Sequence, residues 1–587
     1  MWRIVLAVLA LLTAGVGYFV NLVYKKRAEL DGLPQPPMES RFWGHLKIAA
    51  DCKRLFPPNC HVQNWANYIR KKYDLGDVFY LDWWPLGPRW IFVADPEVAS
   101  KFLTTGQSLP KSRLTTKYLT NLLGENNMVG LEGQAWKSLR SIFNPGFSAS
   151  HLFTLVPYVV DSSLVFLDLL LEKAQTNELV HLDPLSIGFA IDIIGKVVMD
   201  SDFDSQKRPH PIVTTFRKQV ELMPSAASIG PLDDINLVRP IRLWWNARKL
   251  DSLLGAEIDK KIEARKTSQP GTNISSDTVK PRKDRKRSIV DLALDAYEKE
   301  VAASAKGGGS GGGGGMNRSF RTMAIDSIKT FIFAGHDTTS STISYTMYLL
   351  HLHKHVHTKI VAELDSVFGT DVTAAEMAEL IKSDPHRINK LEYLTAVVKE
   401  VLRLFPPAST IRELKRPGDV SAARDKVLID PSTGKECPLV GFDLWPVAHM
   451  IHRNEAYFPD PLSFIPERFI PSQTPFPESK LHTPAGKDAW RPFEKGPRNC
   501  IGQELAMMEA KVVVALVVRE VDFTAEFRGR KIEQGDWVPV ETKDEFADGV
   551  SGDERLSVEG HKPFQVLLGA ARPSNGMSGR LSLRKRT

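Results

Sequence analysis

The stretch Phe493-Glu494-Lys495-Gly496-Pro497-Arg498-Asn499-Cys500-Ile501-Gly502 sets a single cysteine in a loop punctuated by glycines and a permanent cation. A thiolate is a strong electron donor, and as the axial ligand of a haem iron it favours O–O cleavage over reversible oxygen binding. The neighbours suit that chemistry. Gly496 and Gly502 admit backbone geometries and close approaches that a Cβ obstructs. Arg498 offers charge to a carboxylate such as a haem propionate. The run Glu504 to Val518 reads as a helix, placing the sulfur near a helix N-terminus, where the dipole and free N–H groups favour a thiolate. A lone cysteine in a Gly-rich turn would be read as a buried structural residue; the pattern around Cys500 argues for a ligand.

Four further motifs bear on that loop. Ala334-Gly335-His336-Asp337-Thr338-Thr339 lies inside a helical run from about Ser319 to Leu352. A mid-helix glycine costs about 1 kcal/mol; the gain is a notch, with Gly335 leaving room for a diatomic ligand and the Thr338 hydroxyl able to bond back to the Ala334 carbonyl. Thr339 stands about 100° further round the helix, so one of the two threonines is expected to face a metal, and Thr338 is chosen. Glu400 and Arg403, three apart, share a helix face, and Pro466-Glu467-Arg468-Phe469 brings a second arginine, making a structural Glu–Arg–Arg network. Trp136 and Arg140, four apart, aim an indole N–H and a guanidinium the same way, suiting a pair of carboxylates. Arg412, shortly after Pro406-Pro407, is a further propionate candidate.

The elements that must position these residues come from the rest of the 587-residue chain. Hydrophobic content of 43% and charged content of 25% are those of a globular protein. The net charge of +7 fits work near anionic lipid or an acidic partner. No basic stripe interleaved with aromatics argues for nucleic acid. Four cysteines, Cys52, Cys60, Cys437 and Cys500, imply no disulfide framework and a reducing compartment. Ile4 to Tyr24 is apolar except for Thr13 and Asn21, long enough as a helix to cross a bilayer core of roughly 30 Å. Lys25, Lys26 and Arg27 follow, so the positive-inside bias leaves the remainder cytosolic. The expected organisation is an anchor over 1–24, a basic and Pro-rich tether over 25–40, a catalytic body over 41–570, and a basic tail over 571–587. Within the body, Asp77–Trp83 and Trp90–Ala94 read as a hairpin, Asp95-Pro96 opens a helix, and 150–265, 319–405 and 503–519 read as helical. Residues 268–317, with the charge run Lys280–Arg287 and the glycines 307–315, form a flexible insertion, either native or an engineered linker. The fold class is mainly α with a small β region.

Taken in order, Trp136…Arg140, Ala334–Thr338, Glu400…Arg403, Pro466–Phe469 and Phe493–Gly502 resemble the cytochrome P-450 superfamily of haem-thiolate monooxygenases, over nearly everything from about 40 to 570. With the anchor, the chain resembles a fungal microsomal, reductase-dependent member. The resemblance implies the cytochrome P-450 fold and haem b with Cys500 as axial thiolate. It also implies a single-pass enzyme of the endoplasmic reticulum membrane that takes electrons from NADPH through NADPH-cytochrome P-450 reductase. One atom of O₂ enters an apolar organic substrate and the other leaves as water; Thr338 bonds the oxygen being reduced and Asp337 relays protons to it. Phe493, Gly496, Arg498, Gly502, Trp136, Arg140 and Arg412 are the expected haem contacts. Specificity is expected near Lys111–Asn127, the helices around 200–250 and Ala408-Ser409-Thr410, with His336 a further pocket candidate. A fungal secondary metabolite is the expected substrate, with fatty-acid hydroxylation as alternative. Reductase-independent haem-thiolate isomerases or dehydratases form a second class, which the Asp337-Thr338 pair disfavours, and a non-catalytic haem or lipid binder a third.

Overall fold

The computed structural model describes residues 1–57, 59–103, 109–223, 238–267, 288–295, 318–414, 428–431, 434–527, 530–533, 536–539 and 557–584. Helices dominate. Those that matter for the site are α1 (Trp2–Ala28), α2 (Arg113–Leu123), α3 (Gly133–Phe143), α4 (Ala149–Thr176), α5 (Leu182–Met199), α6 (Arg239–Thr267), α7 (Arg318–Leu352), α8 (Glu392–Leu404) and α9 (Gln503–Val517). α7, at 1.5 Å per residue, runs for roughly 50 Å through the body. It packs along α5, α8 and the strand Ala570–Pro573. The main core joins α4, α5, α7, α8 and α9 through residues such as Val159, Phe166, Ile191, Ile328, Leu349, Val397 and Val513, because each helix turns an aliphatic stripe inward.

The small β region uses β1 (Val78–Asp82), β2 (Arg89–Val93), β3 (Val180–His181), β4 (Arg412–Glu413), β5 (Asp443–Pro446), β6 (Val521–Ala525), β7 (Gln565–Leu568), β8 (Ala570–Pro573) and β9 (Ser578–Leu583). The expected hairpin is present, with Val78 opposite Val93, in a sheet ordered β1-β2-β5-β4. Its side chains alternate between two covered faces: Tyr80 and Ile91 pack with Leu30 and Phe102, and Phe79 and Phe92 with Trp65 and Trp445. Asp95 caps the helix Pro96–Leu103 by accepting the Val98 N–H at 2.8 Å.

Three expectations about the ends and the insertion need correction. The basic 25–40 stretch does not hang free: α1 continues to Ala28, Arg27 is buried in an ion pair with Asp82, and the Pro34 carbonyl accepts the Tyr80 N–H at 2.8 Å. The prolines end the helix, but their carbonyls find partners: Tyr80 of β1 for Pro34, and the His45 ring for Pro36. Inside the 268–317 insertion, Ile289, Val290, Ala293 and Leu294 are buried in the main core; the charge run over 280–287 and the glycines over 307–315 lie outside the described residues. The 571–587 segment is no tail up to Arg584. It supplies most of β8 and all of β9, which pairs with β6 and β3; residues 585–587 lie outside the described residues.

The first part of α1 is different. Trp2, Ile4, Leu11 and Tyr18 are more than two-thirds exposed, so these apolar side chains have little cover among the described residues.

Candidate active site

The cysteine loop closes on itself. Cys500 N–H donates to the Phe493 carbonyl at 2.9 Å and Asn499 N–H to the Gly496 carbonyl at 3.0 Å. Gly496 adopts φ +80°, the left-handed region where a side chain is strained. Gly502 plays a lesser part than expected. It is the N-cap of α9 at φ −90°, and a Cβ there would meet Cys500 Sγ and Phe147 at 3.9 Å, ordinary contact. Burial pushes the Cys500 thiol up; the Gly502 N–H and the Arg140 charge pull the other way. The helix N-terminus alone therefore does not make the free sulfur a thiolate, because desolvation acts more strongly. Cys52 and Cys60 are pushed up to about 12 by burial, and Cys437 also rises.

Cys500, which is exposed, lines a cleft whose empty space comes to about 1340 Å³ when the part open to solvent is included. One wall is α7, through Phe331, Ala334, Gly335, Thr338 and Thr339; the other is the cysteine loop with Leu505, Ala506 and Glu509 of α9. Met128, Val129, Phe147, Ile194 and Pro407–Thr410 complete an apolar lining.

Cations gather at one end. Arg140, on α3 with Trp136, donates Nη1 to the Asn499 carbonyl at 2.9 Å and Nη2 to Asn499 Oδ1 at 3.1 Å. Arg498 lies over the Trp136 ring, 4.4 Å from its centroid, and donates to the Leu131 and Val129 carbonyls at 2.7 and 3.0 Å. Lys111 also lines the cleft, its ammonium 2.5 Å from Thr410 Oγ1. Burial and the charges of Arg412 and Arg498 lower its pKa well below the usual lysine range. Arg412 is buried on β4 just behind this wall; its Nε and that of Arg491 lack hydrogen-bond partners. Unpaired buried guanidinium donors beside a lysine that resists its charge are the mark of a place suited to a dianionic group.

Among the described residues no three His, Cys, Asp or Glu side chains cluster as a metal cage. A metal held by Cys500 must bring most of its own ligands. An apolar slot with one sulfur and a cationic end fits an iron macrocycle carrying two carboxylates. Residues 54–537 match the family model Cytochrome P450. The chain belongs to the cytochrome P450 family.

It is 32% identical over 589 residues to cytochrome P450 monooxygenase polC of Polytolypa hystricis, covering 99% of this chain and 96% of that protein. It is 34% identical over 535 residues to cytochrome P450 monooxygenase acrF of Aspergillus aculeatus, covering 89% and 97%. Mouse cytochrome P450 4V2 is a more distant relative, 26% identical over 456 residues, covering 74% of each chain. The protein is thus a P450 monooxygenase, an oxidoreductase whose family carries haem-thiolate iron.

In this P450 both α7 threonines reach the cleft, not one. Ala334, Gly335, Thr338 and Thr339 cover an arc of roughly 140°, and the two small residues let the cleft wrap it. The Thr338 hydroxyl donates to the Ala334 carbonyl at 2.7 Å, the bond expected from i, i+4 spacing. Gly335 also sets how closely α5 approaches α7, since a Cβ there would come within 2.3 Å of Ile194 Cδ1. Asp337 is not on the cleft wall. It turns away, pairing with His336 at 3.1 Å and Arg572 at 3.4 Å; against the effect of burial, the contact with the His336 ring and the charge of Arg572 hold it below the usual carboxylate range. His336 likewise faces away, bonded to the Ile332 carbonyl.

Glu400, Arg403 and Arg468 form the expected network, fully buried away from the cleft. Arg403 binds Glu400 at 2.6 and 2.8 Å and Arg468 reaches it at 3.2 Å. Sequence reasoning missed Asn499, Arg572 and Glu509 and put Lys111 with the substrate loops. Only Glu509 left a signal, an acid two residues before Lys511 in the largely apolar run of α9. The helices around 200–250 do not line the cleft among the described residues; 224–237 lie outside them.

Proposed function

We propose that this P450 is a membrane-anchored haem-thiolate enzyme that inserts one oxygen atom of O₂ into a small apolar molecule, a fungal secondary metabolite. The carrying observation is a single thiol opening into an apolar cleft whose lining also holds Arg140, Arg498 and Lys111. When bound, haem supplies oxygen activation with electrons from NADPH through NADPH-cytochrome P-450 reductase. The chain's own residues do the rest. Cys500 is the ligand; Phe493 and Gly496 shape its loop; Gly502 directs an N–H at the sulfur. Trp136, Arg140, Arg498, Arg412 and Lys111 hold the carboxylates. Thr338 presents a hydroxyl to the oxygen-binding space, while Asp337 is held off the cleft wall by Arg572.

The exposed apolar face of α1, with Lys25 and Lys26 at its end, supports a single-pass anchor in the endoplasmic reticulum, catalytic body in the cytosol. α4, the other helix of sufficient length and apolarity among the described residues, is 44% buried over its most apolar stretch and belongs to the core. The carbon monoxide difference spectrum of dithionite-reduced membranes tests the central reading. A thiolate-type Soret band in the wild type that is lost in Cys500→Ser supports it; a histidine-type band, or none in folded wild type, overturns it.

A further inference from the structure

The loop over 124–132 joins α2 to α3 and is strung between two charged side chains from distant parts of the chain. At one end Asp326 of α7, 4% exposed, accepts the Asn126 N–H at 3.0 Å and Asn126 Nδ2 at 3.2 Å. Gly124, the first residue of the loop, stands at φ +98°, and a Cβ there would come within 2.1 Å of Asp326 Oδ1. Only glycine lets the backbone lie so close to the carboxylate. At the other end Arg498, two residues before Cys500, donates to the Val129 and Leu131 carbonyls. Asn127 closes the middle: its Nδ2 donates to the Gly124 carbonyl at 2.7 Å and its Oδ1 accepts the Gly130 N–H at 2.6 Å. Between the two ends this loop carries Met128 and Val129, both on the cleft wall.

Asp326 is more than the turn requires. Asn127 already closes it, and a buried carboxylate costs more desolvation than a neutral cap. Burial pushes Asp326 up, and the Lys329 charge is the first influence opposing that. Lys329 lies 3.5 Å from Asp326 and also pairs with Asp251 of α6, so the loop, α7 and α6 meet at one charge cluster. Thr330, next to Lys329 on α7, lines the cleft as well. We propose that Asp326 is a positioning residue for substrate selection. It holds the loop on α7 while Arg498 holds it on the cysteine loop; Met128 and Val129 thereby become a fixed lip that limits the width of ligand the cleft admits beside Cys500. The inference deepens the haem-thiolate reading and rests on it. With the Asp326 end released, Met128 and Val129 ride on a loop held chiefly at Arg498, and the cleft takes wider molecules with less discrimination.

Full-length wild type and Asp326→Ala are compared in detergent. Hydrogen exchange reads the loop without haem chemistry: peptides covering 124–131 should exchange at least about tenfold faster in the variant, with those of α9 unchanged. Haem-loaded protein is then titrated with imidazole and with clotrimazole, which share a metal-binding imidazole nitrogen and differ greatly in width, and the Soret shift is followed. The ratio of their dissociation constants should move at least about fivefold in favour of clotrimazole, less than the ~10–200-fold of a group in direct contact. Asp326→Asn, which keeps an acceptor of the same shape, should recover part of that change, a rescue that general loosening of the fold would not produce. Unchanged exchange over 124–131, or an unchanged ratio in a variant with a wild-type carbon monoxide band, overturns the proposal. Absence of a thiolate-type band from wild type would instead overturn the haem-thiolate reading, and the inference with it. If Asp326→Ala does not fold, Gly124→Ala lifts the loop from the same carboxylate and should give both changes; failure of either refutes the role.

Discussion

Replacing Glu400 with glutamine isolates what a buried charge network contributes to this fold. Glu400 accepts from Arg403 Nε and Nη2, Arg468 Nε and the Ile465 N–H, at 2.6, 2.8, 3.2 and 2.9 Å, and all three charged side chains are buried. Glutamine keeps one acceptor but turns an NH₂ toward guanidinium donors and leaves two cations without a counter-charge. Breaking a buried pair this way costs about 3–5 kcal/mol. The lower end is expected, because Arg403 keeps the carbonyls of His452, Pro461 and Ser463, and Arg468 that of Asp460. About 3 kcal/mol is a large part of the ~5–15 kcal/mol typical of a folded protein. With an m-value of about 3 kcal/mol per molar urea, it lowers the midpoint by about 1 M. Equilibrium urea unfolding of the full chain in detergent, followed by tryptophan fluorescence, measures it. Adding Arg468→Met should recover part of the loss by removing one stranded cation. A shift below about 0.3 M for Glu400→Gln, within the ~1 kcal/mol of surface pairs, would refute this account of the network.

Three further outcomes follow from the site. Gly335→Ala should destabilise by about 1–3 kcal/mol through overpacking against Ile194, and Ile194→Val should restore part of it; additive effects in a double-mutant cycle would remove the contact as the cause. Thr338→Ala should divert NADPH electrons to peroxide; if it stays coupled while Thr339→Ala does not, the role belongs to Thr339. Glu509 gives stability a slope with pH: its pKa rises from an ordinary 4.5 to about 8 on folding, so the folded state binds the extra proton between those values. That contribution is full below pH 4.5 and lost as pH rises through 8, about 1.4 kcal/mol per pH unit and at most about 5 in total. Urea midpoints of Glu509→Gln against wild type from pH 5 to 8 should therefore diverge in the variant's favour, and parallel curves would contradict the burial of an unpaired acid.

The chemistry of this protein is local in sequence. The cysteine loop, the notch Ala334–Thr338 and the Glu400–Arg403 spacing are set by neighbours a few residues apart, where backbone conformation and helix periodicity decide geometry; so are the β1–β2 hairpin and the apolar length of α1. Side-chain direction relative to a distant partner is not local. Residue types alone put Asp337 beside Thr338, but Arg572, 235 residues away on β8, draws it off the cleft. Composition made 571–587 a basic tail, yet pairing with β7, β6 and β3 turns about half of it into sheet. Gly335 reads as space for a ligand, and the close approach of α5 gives it a packing role as well. Lys111 and Arg412 come together only where an isolated β-bridge pairs them in the folded chain. The family, the cysteine at its centre and the apolar reach of α1 were legible before folding, because short-range spacing carries them. Which acids hold protons was not, because burial and the charges that oppose it arise from segments that meet only in the folded chain.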